Sequence, residues 1–255
     1  MKPILLLGAG RMGGALIEGW LRAGAFAPSE IMVRDPAAPA IARVRMDPPD
    51  AVLAEAKTVV LAVKPQVWRE AAEAVAGFLA PDAVVVSICA GVRSADIAET
   101  FARKVARVMP TTAVAIRQGT ASVFAEDAEA RKRAHQLFAP LGTVVDLADE
   151  GLMHAATAVS GSGPAYLYAF VEALEAAGSS AGLSAKAAKL LARSTVTGAA
   201  ALLADSGAEP SELRTQVTSP GGTTQAALEV LMAELPDLLA RAVAAAAKRS
   251  EELGG

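Results

Sequence analysis

The sequence predicts an α/β chain in two parts, a doubly wound parallel sheet over residues 1–150 and an all-helical part over residues 151–255. Three observations predict it. Short, almost continuously apolar runs alternate with helical stretches through the first half, as strands covered by helices on both faces do. A glycine-rich turn directly follows the first of these runs. The strand signal then stops near Glu150.

Taken in order, residues 3–7 form a compact apolar strand, and residues 11–23 repeat apolar side chains at helical spacing through Met12, Leu16 and Trp20. Further strands are expected at 31–33, 58–63, 83–87, 105–109, 121–124 and 143–145, with helices between most of them, notably at 68–79 and 128–138. Beyond Glu150 the chain reads as helix, punctuated by Gly161-Ser162-Gly163-Pro164, Gly182, Gly207 and Pro220-Gly221-Gly222. The helices at 165–177, 184–203 and 235–252 are rich in alanine and leucine. They carry more apolar surface than a small bundle covers, so packing against a partner chain is expected, with packing inside the bundle as the alternative.

Composition narrows the function classes. Hydrophobic residues make up 53% and charged residues 20% of 255 residues, the balance of an ordinary globular protein. The net charge is −3, and lysine and arginine are dispersed, so no nucleic-acid partner is expected. No apolar run approaches the ~20 residues that span a bilayer, so no membrane partner is expected either. A glycine turn stands where a signal peptide would have its cleavage site, and a single cysteine, Cys89, excludes an internal disulfide framework. The expected compartment is the cytoplasm. Asparagine is absent, which a GC-rich genome or selection against thermolabile amides would each explain.

Gly8-Ala9-Gly10-Arg11-Met12-Gly13 fits the pattern G-x-G-x-x-G, and it sits between the first strand and the first helix, where a dinucleotide site requires it. The glycines supply a tight turn, backbone access for a pyrophosphate, and close helix–strand contact. The second strand ends in Val33-Arg34-Asp35-Pro36. An acidic residue there holds the ribose diol of NAD, whereas an arginine accommodates the 2′-phosphate of NADP. Arg34 favours NADP and leaves NAD as a second cofactor. Ala62-Val63-Lys64-Pro65 and Ile88-Cys89-Ala90 follow later strands and should complete the cofactor site, with Cys89 a packing residue rather than a nucleophile. No metal site is expected.

Near the other end stands Val217-Thr218-Ser219-Pro220-Gly221-Gly222-Thr223-Thr224, running into an apolar helical pattern. Ser219 suits an N-cap and Pro220 a first helical position. The glycines leave amides uncovered at the positive end of a helix, a cradle for a small carboxylate; a well-capped turn between helices is the other reading.

These motifs, with Arg107-Val108-Met109-Pro110 and Ser160-Gly161-Ser162-Gly163-Pro164-Ala165-Tyr166, resemble pyrroline-5-carboxylate reductase, over residues 2–252. The resemblance implies an N-terminal Rossmann domain and a helical C-terminal domain that dimerises by interlocking helices. It also implies NAD(P)H-dependent reduction of 1-pyrroline-5-carboxylate to L-proline. The substrate carboxylate is expected on Ser219, Gly221, Gly222, Thr223 and Thr224, beside Val217. By the family pattern Thr224, the catalytic candidate, hydrogen-bonds the ring nitrogen, and residues 160–164 open a long helix near the nicotinamide. Protonation of a cyclic imine needs no strong acid, which suits a chain with two histidines, His135 expected to be exposed and His154 structural. The chain departs from the family in having Thr111-Thr112-Ala113 for Asn-Thr-Pro, and Pro48-Pro49-Asp50 near a customary asparagine. It is also short between Asp35 and Thr58. These departures bear on cofactor preference. A related imine or β-hydroxyacid reductase, and a non-catalytic NADP-binding regulator, are the alternatives; the lysine of the former would have to be Lys186 or Lys189, which lie far along the chain.

Overall fold

The computed structural model describes residues 1–254. It divides into two compact units, residues 1–161 with the chain end from Ala246, and Ser162–Ala245.

The first unit is built on a sheet that has eight strands among the described residues: β1 (Ile4–Leu7), β2 (Ile31–Arg34), β3 (Arg45–Met46), β4 (Thr58–Leu61), β5 (Val84–Ser87), β6 (Lys104–Pro110), β7 (Gly119–Phe124) and β8 (Gly142–Asp146). Their order is β3-β2-β1-β4-β5-β6-β7-β8. Helices α1 (Arg11–Ala23), α2 (Trp68–Ala76), α3 (Ser94–Phe101), α4 (Ala128–Phe138) and α5 (Leu152–Ala156) alternate with the strands. Alternate residues of β1 enter different cores. Ile4 and Leu6 pack with Leu16 and Trp20 of α1, whereas Leu5 and Leu7 pack with Ala72 and Val75 of α2 and with Ile97 and Phe101 of α3. Both faces of the strand are therefore buried, which is why its sequence is apolar without alternation. Trp20 is enclosed completely and donates its indole N–H to the Leu137 carbonyl at 2.8 Å.

One expectation is corrected here. The sheet is parallel from β3 to β6, but β7 runs antiparallel to β6, and β8 runs parallel to β7. The connection from Pro110 to Gly119 is too short for the crossover of about a dozen residues that a parallel neighbour needs, so the chain doubles back. Thr111 fixes the reversal: its amide donates to the Thr120 carbonyl at 2.9 Å, and its hydroxyl accepts from the Thr120 amide at 3.0 Å.

The second unit is helical, as read: α6 (Gly163–Ser180), α7 (Ala185–Ser206), α8 (Pro210–Gln216) and most of α9 (Thr223–Gly254). A π-helical turn, Thr157–Gly161, precedes α6. Ser184 caps α7 by accepting from the Ala187 amide at 3.2 Å. Among the described residues of Ser162–Ala245, only Ala188 and Ala192 are buried. Leu190, Val230 and Tyr168 expose 65%, 72% and 67% of their surface. Two buried alanines make no core. Among the described residues no helix is long and apolar enough to cross a membrane.

Candidate functional site

The strand order reverses between β1 and β4, and open α/β sheets bind ligands at the carboxyl ends of the strands beside such a switch. The sequence places its cofactor candidates there. Gly8 follows β1 and donates to the Arg34 carbonyl at 3.0 Å; Ala62 follows β4 and donates to Leu7 at 2.8 Å; Ile88 follows β5 and donates to Leu61 at 2.9 Å. These bonds knit Gly8-Ala9-Gly10, Arg34, Ala62-Val63-Lys64-Pro65 and Ile88-Cys89-Ala90 into one edge.

The glycine turn fits a dinucleotide pyrophosphate. Gly8 has φ +93°, and a Cβ there would meet the Ala62 carbonyl oxygen at 2.9 Å, so a side chain is excluded by conformation and by space. A Cβ on Gly13 would lie 2.2 Å from the Gly8 carbonyl oxygen, which shows how closely α1 approaches the turn. Gly10, the N-cap of α1, has nothing within 4 Å of its Cβ position, leaving the backbone open where an anion meets the first helical amides of Arg11, Met12 and Gly13. Asp35 holds the turn from outside, accepting from the Ala9 amide at 2.8 Å and the Ala37 amide at 3.0 Å. Arg34 pairs with Asp50. A cleft of about 640 Å³ lies alongside, lined by Leu7, Arg34, Pro36, Asp47, Val63 and Val67, an apolar slot with a guanidinium at its rim. A cleft of equal volume around Asp82, Lys104 and Arg133 lies at the amino ends of the strands, where such sheets do not carry their ligands.

Lys64 is exposed, and Pro65 starts a short 3-10 turn directly after it. Cys89 is buried, with its Sγ 3.2 Å from the Val63 carbonyl oxygen, and burial pushes its thiol up to about 11. It is a packing residue, as read. His135 bonds Asp146 at 2.9 Å and is partly exposed; the Nδ1 of His154 lies 3.0 Å from the Ser250 hydroxyl.

The second cluster, Val217 to Thr224, lies in the helical unit. Here the expected N-cap is corrected. Helix α9 begins at Thr223, and Ser219–Gly222 is instead a β-turn closed by the Gly222 amide on the Ser219 carbonyl at 3.0 Å. Gly221, at φ +71°, takes the third position, where a type II turn needs a left-handed residue, with Pro220 before it. Two of the expected cradle amides are thereby engaged: Gly222 within the turn, and Gly221 with the Gln225 side-chain oxygen at 2.7 Å. The Thr223, Thr224 and Gln225 amides open α9, whose first intrahelical bond comes from Ala226 to the Gly222 carbonyl at 3.2 Å. Ser219 and Thr223 are exposed and Thr224 half-buried, while Val217 exposes 64% of its surface. The Thr218 hydroxyl is spent on the Arg214 carbonyl at 2.6 Å. Ser160, in the π-turn, donates to the Ala156 carbonyl at 2.8 Å.

The structure singles out three further side chains, of which the sequence had marked only Asp50, as a departure bearing on cofactor preference. Asp50 reaches Arg34, and Gln225 caps the Gly221 amide one helical turn away. Glu150 accepts from the Ser94 amide and hydroxyl at 2.7 and 2.9 Å and from Arg107, which is only 5% exposed, at 2.7 Å. Gln225 had a local signal that went unread, an amide side chain one turn beyond the glycines.

The chain is similar to known proteins over nearly its whole length. A family model described as pyrroline-5-carboxylate reductase dimerisation matches residues 150–253, and one described as NADP oxidoreductase, coenzyme F420-dependent, matches residues 3–91. The pyrroline-5-carboxylate reductase of Pseudomonas aeruginosa is 38% identical, over 98% of this chain and 96% of that protein. The one of Pisum sativum is 36% identical, over 97% and 94%. Among solved structures, a pyrroline-5-carboxylate reductase from Coxiella burnetii superposes with TM-score 0.90 at 30% identity, covering 100% and 99% of the two chains. The Plasmodium falciparum pyrroline carboxylate reductase with NADP bound gives 0.84 at 26% identity, covering 99% and 98%.

Proposed function

The chain belongs to the pyrroline-5-carboxylate reductase family, and on that premise we propose that it reduces 1-pyrroline-5-carboxylate to L-proline with NADPH, the last step of proline biosynthesis. The observation that carries the substrate assignment is the Ser219–Thr224 turn, which presents helix-end amides and hydroxyls to a small acid. The functional division proposed is a dinucleotide domain over residues 1–150 and a substrate and dimerisation domain over 151–255, supported by the family match that starts at residue 150.

NADPH, when bound, supplies a hydride to the imine carbon, while a proton ends on the ring nitrogen. The chain's own residues bind and orient. The amides of Gly10 to Gly13 receive the pyrophosphate, Arg34 receives the 2′-phosphate, and Ala62 to Pro65 with Ile88 to Ala90 line the rest of the cofactor site. The substrate carboxylate accepts from the Thr223 amide and from the Ser219 and Thr223 hydroxyls. The Gly221 amide joins them once Gln225 turns away, whereas Gly222 serves as the turn's closing bond. The Thr224 hydroxyl holds the ring nitrogen and stabilises the forming amine. A cyclic imine is basic enough to arrive protonated, so positioning supplies most of the rate. Steady-state assays with pyrroline-5-carboxylate and NADPH or NADH test the proposal; no turnover with either cofactor would sink it.

Self-association through the C-terminal helices follows from the exposed leucines and the near absence of buried residues in the helical unit. Sedimentation should show at least a dimer, and a compact monomer would contradict this. Neither a nucleic-acid nor a membrane partner is part of the proposal, and the cytoplasm is the compartment proposed.

A further inference from the structure

Arg34 has two claimants. Its Nη2 forms an ion pair with a carboxylate oxygen of Asp50, while its Nε is enclosed and has no partner. We propose that Asp50 sets the cofactor preference of this chain by competing with the 2′-phosphate for Arg34. The inference rests on the dinucleotide site proposed above.

The backbone at Asp50 is constrained, while its side chain is about half exposed. Asp50 opens a 3-10 turn, Asp50–Glu55, directly after Pro48-Pro49, whose rings restrict the approach. The far end of that turn is tied to β3 by Arg45 and Glu55 at 2.9 Å. Asp47 and Glu70 line the same cleft as Arg34 and add negative charge there. The Asp35 carboxylate is spent on the Ala9 and Ala37 amides, and Asp47 accepts from the Asp35 amide at 3.0 Å. Arg34 therefore pairs with Asp50 at the rim of a cleft that Asp47 also lines.

A 2′-phosphate carries nearly two negative charges and needs the guanidinium to itself. It must either displace the Asp50 carboxylate or lie beside it, and both weaken binding. The 2′-hydroxyl of NADH is uncharged and meets no such opposition. Asp50 thus lowers affinity for NADPH selectively and leaves NADH a usable cofactor.

The test is binding. Dissociation constants for NADPH, NADH, adenosine 2′,5′-bisphosphate and AMP are measured by fluorescence or calorimetric titration on the wild-type chain, Asp50→Asn, Arg34→Ala and the double variant. Asp50→Asn should bind NADPH and the bisphosphate about tenfold more tightly, with NADH and AMP within about twofold. In the Arg34→Ala background the same change should bring no gain, because the contested group is gone. Unchanged NADPH and bisphosphate affinity in Asp50→Asn would overturn the proposal, and so would an equal shift for both cofactors. Retained NADH binding reports that the variants fold. Since no reading involves pyrroline turnover, an enzyme inactive on that substrate would count against the proposed reaction and leave this competition to stand or fall by itself.

Discussion

Gly13→Ala should cost the chain both stability and cofactor. The added Cβ would sit 2.2 Å from the Gly8 carbonyl oxygen and 3.1 Å from its carbon, and both are backbone atoms that cannot rotate aside. Helix α1 and the turn must then part by roughly 1 Å, an overpacking that costs about 1–3 kcal/mol. The amides assigned to the pyrophosphate move with the helix, so NADPH binding should weaken as well. Gly14→Ala, one residue on, is the control. Its Cβ would find only the Ala9 carbonyl oxygen at 3.6 Å, an ordinary contact. Alanine should there stabilise the helix by about 0.5–1 kcal/mol and leave NADPH binding intact. Urea unfolding and NADPH fluorescence titration on both variants decide the matter. A Gly13→Ala protein that unfolds and binds like wild type would refute the close approach of α1 to the turn.

Three further outcomes are expected. Thr224→Ala should lower turnover far more than it weakens NADPH binding, since its hydroxyl is assigned to the substrate nitrogen; unchanged turnover would remove it from the site. Cys89, whose thiol burial raises to about 11, should react with iodoacetamide slowly at neutral pH and ever faster up to pH 10, and a rate that levels off below pH 9 would contradict its buried setting. Burial works against ionisation of Glu150, but hydrogen bonds from Arg107 and Ser94 outweigh it and hold the carboxyl below its usual range. The folded-state value is thus depressed, so its contribution is full above the ordinary carboxylate range and fades as pH falls through the lowered value. Glu150→Gln should therefore cost about 2 kcal/mol at pH 7 and progressively less below about pH 4.3, whereas a gap unchanged from pH 6 to pH 3.5 would contradict this.

The sheet's centre was legible because β1, β4 and β5 are buried on both faces and have no choice but apolar residues. Strand β3 was not, being two half-buried residues, and α3 went unnamed. The reversal at β7 is invisible to hydrophobic pattern; loop length and the Thr111–Thr120 pairing impose it. The Gly8–Gly13 turn was read from its glycines because backbone proximity demands glycine at Gly8 and Gly13, which sequence records directly, whereas the later loops were proposed only from their place after strands. In the second cluster Ser219-Pro220 satisfies the chemistry of an N-cap and of a type II turn equally, and only the left-handed Gly221 decides. Pairs such as Arg34 with Asp50 join residues from separate loops, so no local pattern announces them.

The most direct test of the central claim follows the hydride itself. The chain is given pyrroline-5-carboxylate and NADPH carrying deuterium at the transferring position of the nicotinamide, and the product is examined by mass spectrometry and NMR. The expected result is L-proline one deuterium heavier, labelled at the ring carbon that carried the imine. Unlabelled proline, or none at all, would contradict it.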